Sequence, residues 1–271
     1  MPTVVRLSVS PVKGLKLEHP GVIEVSADGI RGDRAFYMID LEGRMLNGKL
    51  LGALVQIEAR YDTEAERLEL RIPAVLAGSG ESGAVAAGDA LALGAAVETS
   101  FYGRPVAGRI VEGPFAEALS QVAGQPVRLV RADRPSDACD LLPLTVLSRA
   151  SCDELARRSG DLRLADDRRF RMLILLDGCT PHEEDTWAGR HVQIGAAASG
   201  GAPAGAVIRV GSDVGRCVIT AQSPDTGLTD ADTLKAIAAY RGAPEGRISF
   251  GMYAEVVEPG RIAVGDPVSV L

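Results

Sequence analysis

The chain has 271 residues, 46% hydrophobic and 24% charged, a balance that excludes a mainly disordered protein. Its 31 glycines follow no three-residue period, so collagen is excluded, and no apolar run reaches the roughly 18–20 residues that span a bilayer. A net charge of −7 argues against a general nucleic-acid binder.

The first hundred residues read as β structure. Thr3–Val9, Gly21–Ser26 and Arg67–Ile72 alternate apolar and polar residues, and Ala35–Leu41 and Leu54–Ala59 do so less regularly. Turn chemistry at Asp28-Gly29, Glu42-Gly43 and Gly88-Asp89 separates them, which points to a barrel or sandwich. Two stretches rich in Gly, Ala and Ser, Ala77–Gly88 and Ala196–Gly205, read as expanded loop connections. Three helices are expected. Pro114–Val122 has Gly124 beyond its end, and Ser148–Ser159 carries the capping-box spacing Ser151-x-x-Glu154. Thr229–Arg241 offers Thr229 or Asp230 as its cap. Further strands are expected at Arg171–Leu176, Ala206–Val210, Val214–Ala221, Ile248–Val257 and Pro267–Leu271. The charged, aperiodic segment Ala132–Asp140 divides the chain into 1–132 and 133–271.

The four cysteines, Cys139, Cys152, Cys179 and Cys217, include no C-x-x-C pair. That argues against an iron–sulfur cluster, a structural zinc site or a disulfide framework. With a start that lacks the order of a secretion signal, the expectation is a cytoplasmic protein with reduced thiols and no membrane or nucleic-acid partner. Cys217, next to Arg216, reads either as a nucleophile or soft metal ligand, or as a small hydrophobe on a strand. The scattered His19, His182 and His191 form no metal motif, and Glu183-Glu184-Asp185 reads as a solvated loop. Lys13, Arg31, Arg34 and the cluster Arg168, Arg169 and Arg171 stand where strands meet turns. There each can grip an anion or close a surface ion pair.

Several ordered segments, taken together, resemble a known family. They are Ser10-Pro-Val-Lys-Gly14, Gly29-Ile-Arg-Gly-Asp-Arg-Ala-Phe36, Arg169-Phe-Arg171, Glu184-Asp-Thr-Trp187, Arg216-Cys-Val-Ile-Thr220 with Ser223-Pro-Asp-Thr-Gly227, and Glu258 to Val268. The chain resembles the MOSC proteins with an N-terminal β-barrel domain, relatives of the mitochondrial amidoxime-reducing component. The resemblance implies a mostly β fold with a few helices (α+β), an N-terminal barrel packed on a C-terminal MOSC barrel. It also implies a molybdenum cofactor (molybdopterin) between the two, with Cys217 as the metal ligand. Lys13, Arg34, Lys49, Arg171 and Arg216 would hold the cofactor, and Ser148 would stand at a helix start that favours an anion. Leu173 replaces an Asn of the family pattern, and Gln222-Ser223-Pro224 replaces V-D-P. The implied reaction is reduction of a small N-oxygenated substrate, with electrons from a separate donor protein. A cysteine-dependent sulfur-transfer protein, a non-catalytic cofactor carrier and a specialised biosynthetic enzyme are the alternatives on the same fold.

Overall fold

The computed structural model describes residues 1–77, 83–196 and 204–271. The expected loops at Ala77–Gly88 and Ala196–Gly205 lie partly outside the described residues, at 78–82 and 197–203.

In chain order the first half contains β1 (Thr3–Leu7), β2 (Val22–Ser26), β3 (Gly29–Ile30), β4 (Phe36–Ile39), β5 (Met45–Leu46), β6 (Glu58–Asp62) and β7 (Arg67–Ile72). A short helix, α1 (Ala74–Ala77), precedes β8 (Ala84–Asp89), β9 (Leu93–Phe101) and β10 (Arg104–Val111). Next come α2 (Phe115–Ala123) and β11 (Arg128–Ala132). The second half contains β12 (Leu144–Ser148), α3 (Arg149–Ser159), β13 (Ile174–Asp177), β14 (His191–Ile194) and β15 (Ala206–Gly215). It ends with α4 (Thr233–Arg241), β16 (Ser249–Glu258), β17 (Gly260–Ala263) and β18 (Val268–Val270).

The architecture is mostly β with a few helices, as expected. A seven-stranded sheet runs β1-β13-β12-β16-β15-β14-β18. Its two ends meet: Thr3 bridges Pro267, Val4 N–H donates to Asp266 O at 2.9 Å, and Val268 N–H donates to Pro2 O at 2.9 Å. The sheet is thereby nearly closed into a barrel, which leaves little free edge. Its interior is apolar, with Val4, Leu7, Val146, Leu173, Ile174, Val192, Ile208 and Ala254 among the buried side chains. β12 and β13 are parallel, and α3 makes the crossover between them. The second barrel combines the sheets β5-β4-β11-β10-β9 and β6-β7-β8. Phe36, Met38, Leu54, Leu68, Leu70, Phe115 and Leu129 fill its core, and α2 covers it. Two strands from the start of the chain join partners from its end, β1 with β13 and β2 with β17, so strand pairs cross the expected division at 132/133.

Several expected elements differ. Leu54–Ala59 is not one strand: Gly52–Gln56 forms a 3-10 turn that buries Leu54, and β6 starts at Glu58. Ala84–Gly88, expected as loop, is most of β8. Gly88 packs tightly there, since a Cβ on it would press on Phe115. The helix α3 is capped by Ser148, whose Oγ accepts from Ser151 N–H at 3.2 Å, and not by Ser151. Glu154 is turned outward to Arg157 and Arg158. The cap of α4 is neither Thr229 nor Asp230. The helix starts at Thr233, and Asp230 is held by Arg169 at 2.7 and 2.9 Å. Glu184, expected in a solvated loop, is fully buried. The expected strand Arg171–Leu176 begins only at Ile174. Finally, Val214–Ala221 is not a strand. β15 ends at Gly215, and Cys217 starts a 3-10 turn over Val218–Ala221, with Thr220 N–H donating to Cys217 O at 3.2 Å.

Candidate active site

That last difference places the thiol. Cys217 is half-buried at an elbow between β15 and the 3-10 turn, and it lines a cleft of about 130 Å³ between the two barrels. Lys13, Arg34, Lys49, Arg171 and Arg216 line the same cleft, so every expected site residue except Ser148 meets there. A smaller pocket beside it shares Gly14, Gly48, Arg171 and Ile219 and extends the cavity toward Gln222.

Each cation is positioned by a different piece of backbone. Lys13 follows β1, where its N–H donates to Phe36 O at 2.8 Å. Its Nζ reaches Ala138 O at 2.8 Å and Asp140 Oδ1 at 2.5 Å. Arg34 sits in the turn before β4 and is paired with the buried Asp33, which also accepts from Ser10 N–H at 2.7 Å. Burial opposes the Arg34 charge, but Asp33 outweighs it, and the pKa rises. Arg171 closes the 3-10 turn Asp167–Phe170 and donates to Leu15 O at 2.6 Å. Burial, with Arg34 close by, lowers its pKa to about 10. Lys49 stands at the exposed rim, its Nζ 5.6 Å from the Tyr102 ring centre.

Arg216 has another task. It donates to Phe170 O at 2.9 Å and to Phe250 O at 2.8 Å, and its guanidinium lies 5.3 Å from the Phe170 ring centre. Its bonds therefore tie the Cys217 elbow to β16 and to the turn that carries Arg171. Burial lowers its pKa to about 10 as well. Among the described residues, neither Arg171 nor Arg216 has a carboxylate partner, whereas Arg31, Arg168 and Arg169 are spent on Glu64, on Asp166 and Asp225, and on Asp230.

The backbone is strained here. Of the seven described non-glycine residues with positive φ, Arg34 (49°), Tyr102 (52°) and Arg171 (52°) line the cleft. Such conformations cost about 1–3 kcal/mol each and cluster at functional sites.

Loops from the two barrels lock over the cleft. Gln222 Nε2 donates to Gly48 O at 2.9 Å, and Gln56 Nε2 donates to Thr226 O at 3.1 Å. Gly52 and Gly227 approach so closely that a Cβ on either would enter the other's backbone. Gln222, which stands in the altered V-D-P segment, is thus a bridge between the barrels.

Ser148 is not in the cleft. The α3 N-terminus it caps is already met by the Glu184 carboxyl group, which accepts from Ser148 N–H at 3.2 Å and Ser151 Oγ at 2.8 Å and whose pKa burial raises. Leu173 is also elsewhere: it is buried in the barrel interior, so its replacement of Asn removes nothing from the cleft. Sequence reasoning gave no site role to Cys139, Asp140, Tyr102, Thr145 and Tyr253, all cleft-lining. The pairing of Thr145 with Tyr253 across β12 and β16 follows from sheet register, which no local pattern signals. Burial pushes the Cys139 thiol up to about 11, so it stays protonated beside the cleft.

The geometry defines a two-barrel protein with a thiol and a cluster of cations at the seam. The family model of the MOSC domain matches residues 137–269, and that of the MOSC N-terminal beta barrel domain matches residues 1–99. The chain belongs to the MOSC proteins that carry this N-terminal barrel. It is 27% identical to mitochondrial amidoxime-reducing component 1 of Homo sapiens, over 99% of this chain and 83% of that protein. It is 26% identical to mitochondrial amidoxime reducing component 2 of Bos taurus, over 98% and 82% respectively. Over 49% of this chain and 37% of the relative, identity to component 1 of Mus musculus is 33%. Among solved structures, the YUAD protein of Bacillus subtilis covers 100% of this chain and 96% of its own, at 13% identity and a TM-score of 0.46, too remote to carry an argument.

Proposed function

We propose that this protein is a molybdenum-cofactor oxidoreductase that reduces small N-hydroxylated or N-oxide compounds, with Cys217 Sγ as the protein ligand to the metal and a separate protein as electron donor. The observation that carries the reading is the cleft itself. A thiol opens onto it beside Arg171 and Arg216, two guanidiniums without a carboxylate partner. Such a wall favours a polyanion that also carries a soft metal, because thiolate sulfur is a soft donor and guanidinium pairs bidentately with phosphate. The donor set therefore fits a pterin phosphate with a dithiolene-bound metal. The names of the relatives, amidoxime-reducing components, point the same way.

When bound, the cofactor supplies the two-electron reduction of an N–O bond, with the oxygen leaving as water. The chain's own residues do the rest. Arg171 and Arg34 hold the anionic end, Lys13, held by Asp140, adds positive potential within the wall, and Lys49 adds it at the exposed rim. Arg216 fixes the elbow that aims Sγ into the cleft. Burial pushes the Tyr253 hydroxyl up to about 12, so it stays a hydrogen-bond donor at the cleft floor. No helix among the described residues is long and apolar enough to cross a membrane.

The test is molybdenum and pterin content per chain after expression in a cofactor-competent host, with Cys217→Ala in parallel and amidoxime reduction by a reduced dye as readout. The parent should carry near-stoichiometric metal, and Cys217→Ala should lose both metal and turnover. Full turnover by the variant, or a parent with neither metal nor pterin, would sink the reading.

A further inference from the structure

Outside the cleft, a partly buried cluster is left unused by this chemistry. His182, Glu184 and Asp185 lie around the 3-10 turn Glu183–Trp187, and one ligand atom from each lies within 4.8 Å of the others. Glu184 is fully buried. Three atoms in the cluster have no hydrogen-bond partner among the described residues: His182 Nδ1, Glu184 Oε2 and Asp185 Oδ1. An orphaned carboxylate oxygen deep in a fold costs about 1–3 kcal/mol or more unless something occupies its lone pair.

Each of the three is held by its other atom. His182 Nε2 is 2.9 Å from Tyr240 Oη, so a ring that donates to that hydroxyl leaves Nδ1 as a lone-pair acceptor. Glu184 Oε1 accepts from Ser148 N–H and Ser151 Oγ, which leaves Oε2 free. Asp185 Oδ2 accepts from Arg241 at 2.6 Å, which leaves Oδ1 free. His182 is itself fixed in the left-handed region at φ 62°, with its N–H donated to Ser151 Oγ at 2.8 Å. This is the arrangement metal ligands show, in which outer partners orient each ligand and leave one atom for the ion.

We propose that His182, Glu184 and Asp185 form a divalent-cation site, selective for zinc, that braces the α3–α4 side of the C-terminal barrel independently of the cleft. One imidazole and two carboxylates suit zinc, whereas magnesium and calcium prefer oxygen alone. His182 Nδ1 now lies 4.0 Å from Asp185 Oδ2, so a zinc ion would draw the three residues together to bonds of about 2.0–2.2 Å, with water completing the tetrahedron. The dication meets two carboxylates, one of them shared with Arg241.

The site is tested with Zn²⁺ alone on chelator-stripped full-length Cys217→Ala protein, which removes the cleft thiol as a competing ligand. Equilibrium dialysis with metal analysis should give one zinc per chain, and zinc should raise Tm. Glu184→Gln and His182→Gln should each weaken binding at least tenfold and abolish the Tm rise, while Mg²⁺ at the same concentration gives none. If Glu184→Gln does not fold, the partly exposed His182→Gln decides alone. No stoichiometric zinc in the stripped protein, or equal zinc in His182→Gln, would overturn the site. Neither result touches the cleft, because Cys217 is absent throughout.

Discussion

A guanidinium withdrawn from water without a carboxylate destabilises a fold, because its hydration is replaced only by neutral carbonyls. Arg171 is in that position, holding Leu15 O and facing Arg34. Arg171→Met should therefore leave the cofactor-free protein as stable or up to about 2 kcal/mol more stable. The same change should lower cofactor content at least tenfold. Thermal melts of stripped protein and pterin content of loaded protein check the two halves. His19 makes a pH prediction. Although the residue is largely exposed, partial desolvation of the ring lowers its pKa from 6.5 despite the Leu7 carbonyl, with Nδ1 3.1 Å from Ser8 Oγ. The unfolded chain binds that proton below about pH 6.5 and the folded chain resists it, so this group's stabilisation is present above pH 6.5 and falls with pH below it. Replacing His19 by Gln should flatten the Tm decline between pH 7.5 and 5.5, and an unchanged slope would refute the assignment. At this scale the family motifs marked Lys13, Arg34, Arg171 and Cys217, because those side chains stand in contiguous segments. Asp140 and Tyr253 were not legible, since only folding brings residues so distant in sequence to one cleft.

Among elements, α3 shows how caps and anion sites compete. The place beside its N-terminus is already taken by the Glu184 carboxyl group, supplied from the turn after β13 and held by Ser148 N–H and Ser151 Oγ. Ser148→Ala should cost about 1 kcal/mol through the lost cap, or about 3 °C in Tm, and leave molybdenum content unchanged. A loss of cofactor at unaltered Tm would return Ser148 to the cleft. Regular alternation made β7 legible at Arg67–Ile72, with the bounds observed. β8 was hidden because its Ala and Gly residues carry a loop-like composition. Gly88 lies against the Phe115 ring, a tertiary demand. The Cys217 elbow was hidden for a related reason. Val218, Ile219 and Thr220 are good strand formers, but Gly215 ends the ladder with β16, and the next residues turn toward the Gly48 loop. Local propensity is a weak prior against such contacts.

In the whole molecule the first strand closes the last barrel. β1 pairs with β13 and meets the residues before β18, so the C-terminal barrel is incomplete without Thr3–Leu7. β2 is joined to β17 in the same way. Residues 133–271 produced alone should lack a cooperative thermal transition, while the full chain shows one; circular-dichroism melting distinguishes them. A sharp transition in the isolated piece would mean that the closing strand is dispensable. The locked Gly52–Gly227 contact and the Gln222–Gly48 bond fasten the two barrels beside the thiol, which makes the cleft a property of the whole chain.

By itself the sequence determined a β-rich chain, its turns, three helices and the order of motifs that mark a MOSC protein. These are local or contiguous features, fixed by periodicity and by backbone chemistry within a few residues. Only the tertiary structure decided that Ser148 serves a cap, that Arg168 and Arg169 are spent on carboxylates while Arg171 is not, and that Glu184 is buried with a free oxygen. The reason is physical: whether a charge binds a ligand or a neighbour depends on which partner lies within about 3 Å, and that distance is set by barrel closure across the length of the chain.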